Sequence, residues 1–355
     1  MLVEIAMKVE AKVLQEFVKE IFIKVNLPED EAAFVANALV DSNLYGIDSH
    51  GVMRAPIYAK RCLNKAINTH PDFRFASTNK AVEILDGDNG HGIVVGRKAM
   101  TRAMELAKDF GIGLVGVKRS NHYGACSIYT RMAAEAGMVG ISATNVKPLM
   151  IAGGAELPVV GNNPFSIAIP TFNDFPFVLD MALSVVARGK ISYAAEKGVK
   201  IPLEWATDKG GRPTDDPKVA LDGFIQAMGG YKGIAIAYAI DALCGVLTGA
   251  GYSYGVKSMY EEEEEPSQTG HMMIAVNFGI VSSPEVIREK MKAYHDGLLA
   301  TPMWDKNQRV CFPGEIEQDV YKQRLAEGIN IPESIFNELS ALGKTLGVKS
   351  ELRFF

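Results

Sequence analysis

Gly111-Ile112-Gly113-Leu114-Val115-Gly116 spells G-x-G-x-x-G, and the reading of that hexapeptide decides the fold. A dinucleotide fingerprint needs a strand before its glycines and a helix opening after them, so that the pyrophosphate meets a helix N-terminus. Here the order is reversed. The spacing of apolar residues from Val94 to Phe110 predicts a helix, and Ile112 to Val117 reads as the strand itself. The turn from Gly87 to Gly92 does lie between a strand and a helix, but its glycine spacing is wrong. A conventional Rossmann site is not expected.

Working outward, Ala81 to Leu85 reads as a strand, and a helix follows Tyr123 and stops at Gly137. The apolar runs Met138 to Ala143, Phe165 to Ile169 and Phe177 to Leu179 read as further strands. Two helices occupy the first forty residues, the second opening at Leu27-Pro28-Glu29-Asp30. Helices return from Ser283-Pro284, from about Ile316, and from Pro332 to Leu346. The expected architecture is an α/β core with a partly parallel sheet, flanked by a helical domain made from both chain ends. Its parts are residues 1–78, a core at 79–280, and 281–355 packing back onto the first part. Gly233 to Gly249 is the nearest approach to a membrane span, but Asp241 in its middle makes a buried core helix the better reading.

Of the 355 residues, 48% are hydrophobic and 22% charged, as in ordinary globular proteins, and a net charge of −5 leaves no basic footprint for nucleic acid. Cys62, Cys126, Cys244 and Cys311 are too scattered for a zinc site or disulfide framework and read as reduced thiols of a cytoplasmic protein. Glu4, Lys8 and Glu10 argue against a secretory signal, and no membrane association is expected. Metal-ligand spacing such as HExxH and a G-x-S-x-G nucleophile turn are both absent. Glu261 to Glu265 reads as a solvated loop or helix end.

Chemistry concentrates in Asp48-Ser49-His50-Gly51-Val52-Met53-Arg54 and Tyr58. With Gly46 ending the preceding helix and Asp48 or Ser49 as N-cap, a new helix would carry His50, Arg54 and Tyr58 on one face. An imidazole, a planar cation and a phenol there suit a small carboxylate-bearing substrate, though a capped surface helix would read the same way. His122, in Asn121-His122-Tyr123-Gly124, stands at the carboxyl end of a strand, where α/β ligands bind.

The ordered set is more specific than any member. Gly46-Ile-Asp-Ser-His-Gly51 with Arg54 and Tyr58, Ser120-Asn-His-Tyr-Gly124, Gly161-x-Asn-Pro164, Asp180-Met-Ala182, Lys232-Gly233 and Pro313-Gly-Glu315 together resemble the type-2 malate/L-lactate dehydrogenases. That family includes ureidoglycolate and sulfolactate dehydrogenases, diketogulonate reductase and piperideine-2-carboxylate reductase. The resemblance implies a non-Rossmann nicotinamide-binding core and a homodimer with active sites near the interface. It also implies reversible hydride transfer between NAD or NADP and a small 2-oxo/2-hydroxy acid.

In that scheme His50 exchanges the proton, Ser49 hydrogen-bonds the same oxygen, Asp180 orients His50, and His122 is the rival acid/base. Arg54 grips the substrate carboxylate and Tyr58 closes the pocket. The cofactor lies near Val146, Asn163, Asp180, Met181, Ala182, Lys232, Gly233, Gly314 and Glu315, with no metal. Lys147 stands where the family carries an acid in ureidoglycolate enzymes and a basic residue in archaeal malate enzymes, which points to malate/oxaloacetate.

Two departures fall near the cofactor. Asn162 replaces the usual threonine of Gly-Thr-Asn-Pro, and Ile234-Ala235 replaces Tyr-Gly after Lys232-Gly233. Arg188 and Lys190 are within reach of an NADP 2′-phosphate on this reading. The rival classes are a catalytically silent nicotinamide-binding protein and a hydrolase or lyase built on His50 and His122.

Overall fold

The computed structural model describes residues 6–77 and 80–354. The expected boundary at residues 78/79 and the residues before Ala6 lie outside that range. The chain opens with β1 (Ala6–Val9), α1 (Ala11–Lys24), α2 (Glu29–Leu44) and α3 (Ala55–Leu63). The middle runs through β2 (Arg74–Ser77), β3 (Val82–Asp86), α4 (Gly92–Phe110), β4 (Ile112–Ser120), α5 (Ser127–Glu135) and β5 (Val139–Thr144). It continues with β6 (Met150–Ile151), β7 (Phe165–Ile169), β8 (Phe177–Met181), α6 (Arg188–Lys197), α7 (Pro217–Asp222) and β9 (Ile225–Gln226). Then come α8 (Tyr231–Asp241), β10 (Thr269–Val276), α9 (Pro284–Leu299), α10 (Glu315–Glu327), β11 (Ile329–Pro332) and α11 (Glu333–Leu346).

Seven strands form one mixed sheet in the order β2-β3-β4-β10-β5-β7-β8. Only the β3–β4 pair within it is parallel. This is no doubly wound parallel sheet, and Gly113 and Gly116 lie inside β4 with α4 before them, as their context in the sequence predicts. The central strand β10 is absent from the sequence reading. Met272 to Val276 is a continuous apolar run, and a strand covered on both sides shows no alternation to separate it from buried helix. The pairing of β1 with β11, which joins the two ends of the chain, was equally invisible, since short strands are specified by their partners.

Two large apolar clusters hold the site from either side. One joins Leu14, Phe17 and Ile21 of α1, Val35 and Leu39 of α2 and Tyr58 of α3 to Ile329, Ile331, Phe336 and Leu339 from the other end of the chain. The second fills the space between sheet and helices with Leu85, Val95, Met100, Val115, Val117, Tyr129 and Met273. Helix α9 lies beside the β8 edge, where Arg288 donates to the Phe172 carbonyl at 2.7 Å and Tyr294 and His295 pack on Phe312.

The 233–249 segment corrects its expectation. It is a helix with one buried face (Ile234, Ala237, Ile240, Asp241) that passes into a π-helical turn at Ala242–Val246. Ile236, Tyr238, Leu243, Val246 and Leu247 are exposed, so the segment is covered on one side only. Asp241 is accommodated by hydrogen bonds from Asn145 Nδ2 at 3.0 Å and the Ser253 amide at 3.0 Å. Among the described residues, no helix is long and apolar enough to cross a membrane.

Candidate functional site

The corner between α2 and α3 carries the densest chemistry, and it is not the single helix that the spacing predicts. Residues 48–50 and 52–54 each make one 3-10 turn, separated by an extended Gly51 (φ −84°, ψ −155°). Asn43, only 3% exposed, dictates the break. Its Oδ1 accepts from the Val52 amide at 2.8 Å, and its Nδ2 donates to Asp48 Oδ1 at 2.7 Å. A Cβ at position 51 would stand inside the Asn43 side chain, so only glycine fits. Neither Asp48 nor Ser49 caps a helix here. Asp48 instead receives both terminal nitrogens of Arg324 from α10, at 2.6 and 3.0 Å.

His50, Arg54 and Tyr58 converge nonetheless, and the C-terminal end of β4 brings His122 to them. The His50 and His122 rings stack at 5.5 Å between centroids and 17° between planes. The buried Tyr58 hydroxyl lies 2.5 Å from His122 Nδ1, which also faces the Gly124 amide at 3.4 Å. Burial raises the Tyr58 phenol, so the hydroxyl keeps its proton and donates. With Nδ1 accepting, the proton of a neutral His122 ring sits on Nε2. Ser49 Oγ pairs with His50 Nδ1 at 3.0 Å. Arg54 Nε donates to the Ser49 carbonyl at 2.7 Å. Among the described residues, neither Nε2 atom nor the terminal nitrogens of Arg54 have a partner, and no carboxylate neutralises that guanidinium.

Both imidazoles are held neutral. Burial lowers His50 to about 4, with the Arg54 charge adding to the effect. His122 falls well below its ordinary value through burial, then through His50 and Arg54. A neutral imidazole beside an unneutralised cation is a proton acceptor, and an anion placed on Arg54 would make it a better one.

Asp180, at the end of β8, does not meet His50. Its carboxylate accepts from the Ser127 amide at 2.8 Å, at the N-terminus of α5, and burial raises its pKa despite that bond. The remaining residues expected at the cofactor follow a strip that starts beside β8. Gly314 and Glu315 lie at its beginning, since the Val178 amide donates to the Pro313 carbonyl. Met181 and Ala182 lie at its end, and hydrogen bonds from Leu183 to Asn162 and from Met228 to Leu183 lead on to the N-terminus of α8. There Gly229 and Gly230, with φ of 59° and 62° and open space around them, precede Lys232 and Gly233. Asn163, fully buried, ties this strip to Val146 by accepting its amide at 3.0 Å and donating to the Ala237 carbonyl at 2.9 Å. Glu315 is committed to its own turn by Arg309 and the Phe312 amide (2.9 Å), and Arg188 to the Leu221 carbonyl.

The glutamate run is a solvated loop, as expected, but its backbone is held in place. Residues 258–265 form a strap whose backbone is clasped by Arg61, a guanidinium 1% exposed on α3. Arg61 donates to the carbonyls of Glu262 (3.1 Å), Glu263 (3.3 Å) and Glu265 (2.7 Å), and to Asn121 Oδ1 and Ser267 Oγ, both at 3.1 Å. Tyr260 lies under the Arg54 guanidinium, 5.7 Å from its ring centroid, and Glu261 pairs with Lys147. Lys60 spaced from Glu263 across two hundred residues leaves no sequence signal, so the strap escaped a reading based on local pattern. Among the described residues, no three of His, Cys, Asp and Glu are grouped to hold a metal ion.

Comparison with known proteins places this geometry. The family model described as malate/L-lactate dehydrogenase matches residues 9–340. Malate dehydrogenase of Pyrococcus abyssi is 36% identical over 344 residues, covering 95% of this chain and 94% of that one. Ureidoglycolate dehydrogenase (NAD(+)) of Escherichia coli K12 is 35% identical over 336 residues, covering 94% and 95%. The solved structure of sulfolactate dehydrogenase from Methanocaldococcus jannaschii superposes with a TM-score of 0.90 at 34% identity, covering 96% of this chain and 98% of that one.

Proposed function

The chain belongs to the malate/L-lactate dehydrogenase family and is a 2-hydroxy-acid dehydrogenase, and from that premise we propose that it interconverts malate and oxaloacetate with NAD or NADP. One observation carries the reading. Arg54 is anchored through Nε while its terminal nitrogens stay free beside two neutral imidazoles, the arrangement that a 2-oxo carboxylate needs. Lys147, paired with Glu261 next to the Tyr260 ring that underlies Arg54, supplies a second cation for a second carboxylate.

His50 takes the hydroxyl proton during oxidation and returns it during reduction. Ser49 orients it through Nδ1, and His122, with its proton on Nε2, donates a hydrogen bond to the same substrate oxygen. Tyr58 fixes His122 rather than touching substrate directly. This pairing also supports a second reading, in which His122 exchanges the proton and Tyr58 shares it. Asp180 acts on the α5 N-terminus and leaves the orientation of His50 to Ser49.

The strip beside β8 fits a nicotinamide dinucleotide. Its open glycine turn, the α8 N-terminus and Lys232 make a donor set suited to phosphate, and Asn163 holds Val146 in line with it. When bound, the nicotinamide supplies or accepts the hydride at the substrate carbon. Asp180, Met181 and Ala182 border it, and Gly314 gives the close approach at the other end. Arg188 gives one terminal nitrogen to the Leu221 carbonyl, which leaves its other donors and Lys190 for an NADP 2′-phosphate. The exposed apolar face of α8 and its π turn supports a homodimer.

The test follows oxidation of NADH or NADPH with oxaloacetate, pyruvate, sulfopyruvate, diketogulonate and piperideine-2-carboxylate. Preference for oxaloacetate that is lost selectively in Lys147→Met supports the proposal. Preference for a monocarboxylate, or equal loss on all substrates, sinks the malate assignment. Activity without any nicotinamide would remove the mechanism as well.

A further inference from the structure

Lys147 is not an idle cation. Its ammonium is held by Glu261, with Glu262 behind at 3.7 Å, so a substrate carboxylate that reaches it must displace a protein carboxylate. Consecutive residues of the strap thus touch the two cations, Tyr260 at Arg54 and Glu261 at Lys147. Adjacent Cα atoms are about 3.8 Å apart, so the cations flank one dipeptide.

The strap backbone is fixed at both ends, while the Glu261 side chain projects from it. Arg61 clasps its backbone from Glu262 onward, Lys60 holds Glu263, and Lys257 lies 3.6 Å from Glu262. Ser258 Oγ accepts from the amides of Tyr260 (3.2 Å) and Glu261 (3.3 Å), which shapes the turn without holding the Glu261 carboxylate. That side chain is 71% exposed, and among the described residues Lys147 is its one ion-pair partner. It can leave Lys147 with the strap backbone in place.

We propose that Glu261 is a specificity-determining residue, an internal carboxylate that stands in for the second anionic group of the substrate at Lys147. This rests on the dicarboxylate reading above. A monoanionic 2-oxo acid binds Arg54 and leaves the Glu261–Lys147 pair intact. A dianionic one exchanges its distal carboxylate for that of Glu261, and the cost of breaking the pair reduces its advantage. Tyr260, lying under Arg54, couples the strap to the proximal carboxylate.

The experiment compares Glu261→Gln with the parent protein, alone and combined with Lys147→Met. Freed from Glu261, Lys147 should raise kcat/KM for oxaloacetate relative to pyruvate by about fivefold, the scale of a partly exposed ion pair, and the change should appear in KM. In the Lys147→Met background the same substitution should do nothing. Thermal unfolding in malonate and in acetate gives a readout without turnover, and Glu261→Gln should enlarge the Tm shift of malonate over that of acetate. An unchanged oxaloacetate-to-pyruvate ratio and unchanged malonate shift, with Lys147→Met still selective against oxaloacetate, overturn the role of Glu261 alone. If Lys147→Met shows no selectivity in either assay, the dicarboxylate reading has failed and the role of Glu261 fails with it.

Discussion

The two walls of the site are held in opposite ways. The wall at residues 43–61 is braced by buried polar groups: Asn43 sets the break, Tyr58 holds His122, and Arg61 clasps the strap from beneath. The strip from β8 to α8 leans on α8 and the π turn after it, which keep one apolar face open, with Leu247 71% and Val246 55% exposed. The first wall is tightly braced, because the bracing groups of Asn43, Tyr58 and Arg61 have named partners and a displaced side chain would leave one unsatisfied. Among the described residues, the His50 and His122 Nε2 atoms and the Arg54 terminal nitrogens are left open. The second presents surface that a further partner would cover. On the function proposed above, proton handling falls to the rigid wall and the cofactor to the one left open for adjustment.

The sharpest way to break this comparison is His50→Asn, which should lower kcat by about a thousandfold in steady-state assays if the rigid wall carries the proton. A loss below about tenfold, with His122→Asn far more damaging, would transfer the role to His122. Next, Arg54→Lys keeps the charge but not the planar fork, and should raise KM for the 2-oxo acid by about fiftyfold. A smaller effect follows at Gly51. Alanine there must push aside the buried, hydrogen-bonded Asn43, so chemical denaturation should show a loss of about 1–3 kcal/mol together with reduced turnover. Unaltered stability would mean that the wall is softer than its hydrogen bonds indicate.

The pH profile sharpens the same contrast. His50 is depressed to about 4 by burial and by Arg54, so its neutral form is present above that pH. The acid limb of kcat/KM for hydroxy-acid oxidation should lie well below 6.5, and activity should fall as pH drops through about 4. A substrate carboxylate on Arg54 offsets the repulsion, so the limb of kcat should lie higher than that of kcat/KM. For the open wall, Leu247→Glu should shift light-scattering mass from dimer to monomer while secondary structure by circular dichroism stays constant. A monomer in the parent protein would remove the dimer.

Much of this was legible locally. The stretch Phe165–Ile169 is the predicted strand residue for residue, α4 and β4 fall where periodicity put them, and the rejection of the G-x-G-x-x-G motif followed from the order of helix and strand. The site residues His50, Arg54, Tyr58 and His122 were also named from motif, and they converge. Their supposed reason, a shared helix face, was wrong: the chain breaks at Gly51, and Asn43 restores the convergence from another helix.

The sequence by itself determined the local elements, the absence of a Rossmann turn and the identity of the chemical groups, because these depend on periodicity and residue type within a few positions. Tertiary structure alone decided that Asp180 meets Ser127 and not His50, that β10 fills the centre of the sheet, and that the glutamate run reaches Lys147 across more than a hundred residues. Those outcomes depend on which distant donor satisfies which buried acceptor, and no local pattern encodes that choice.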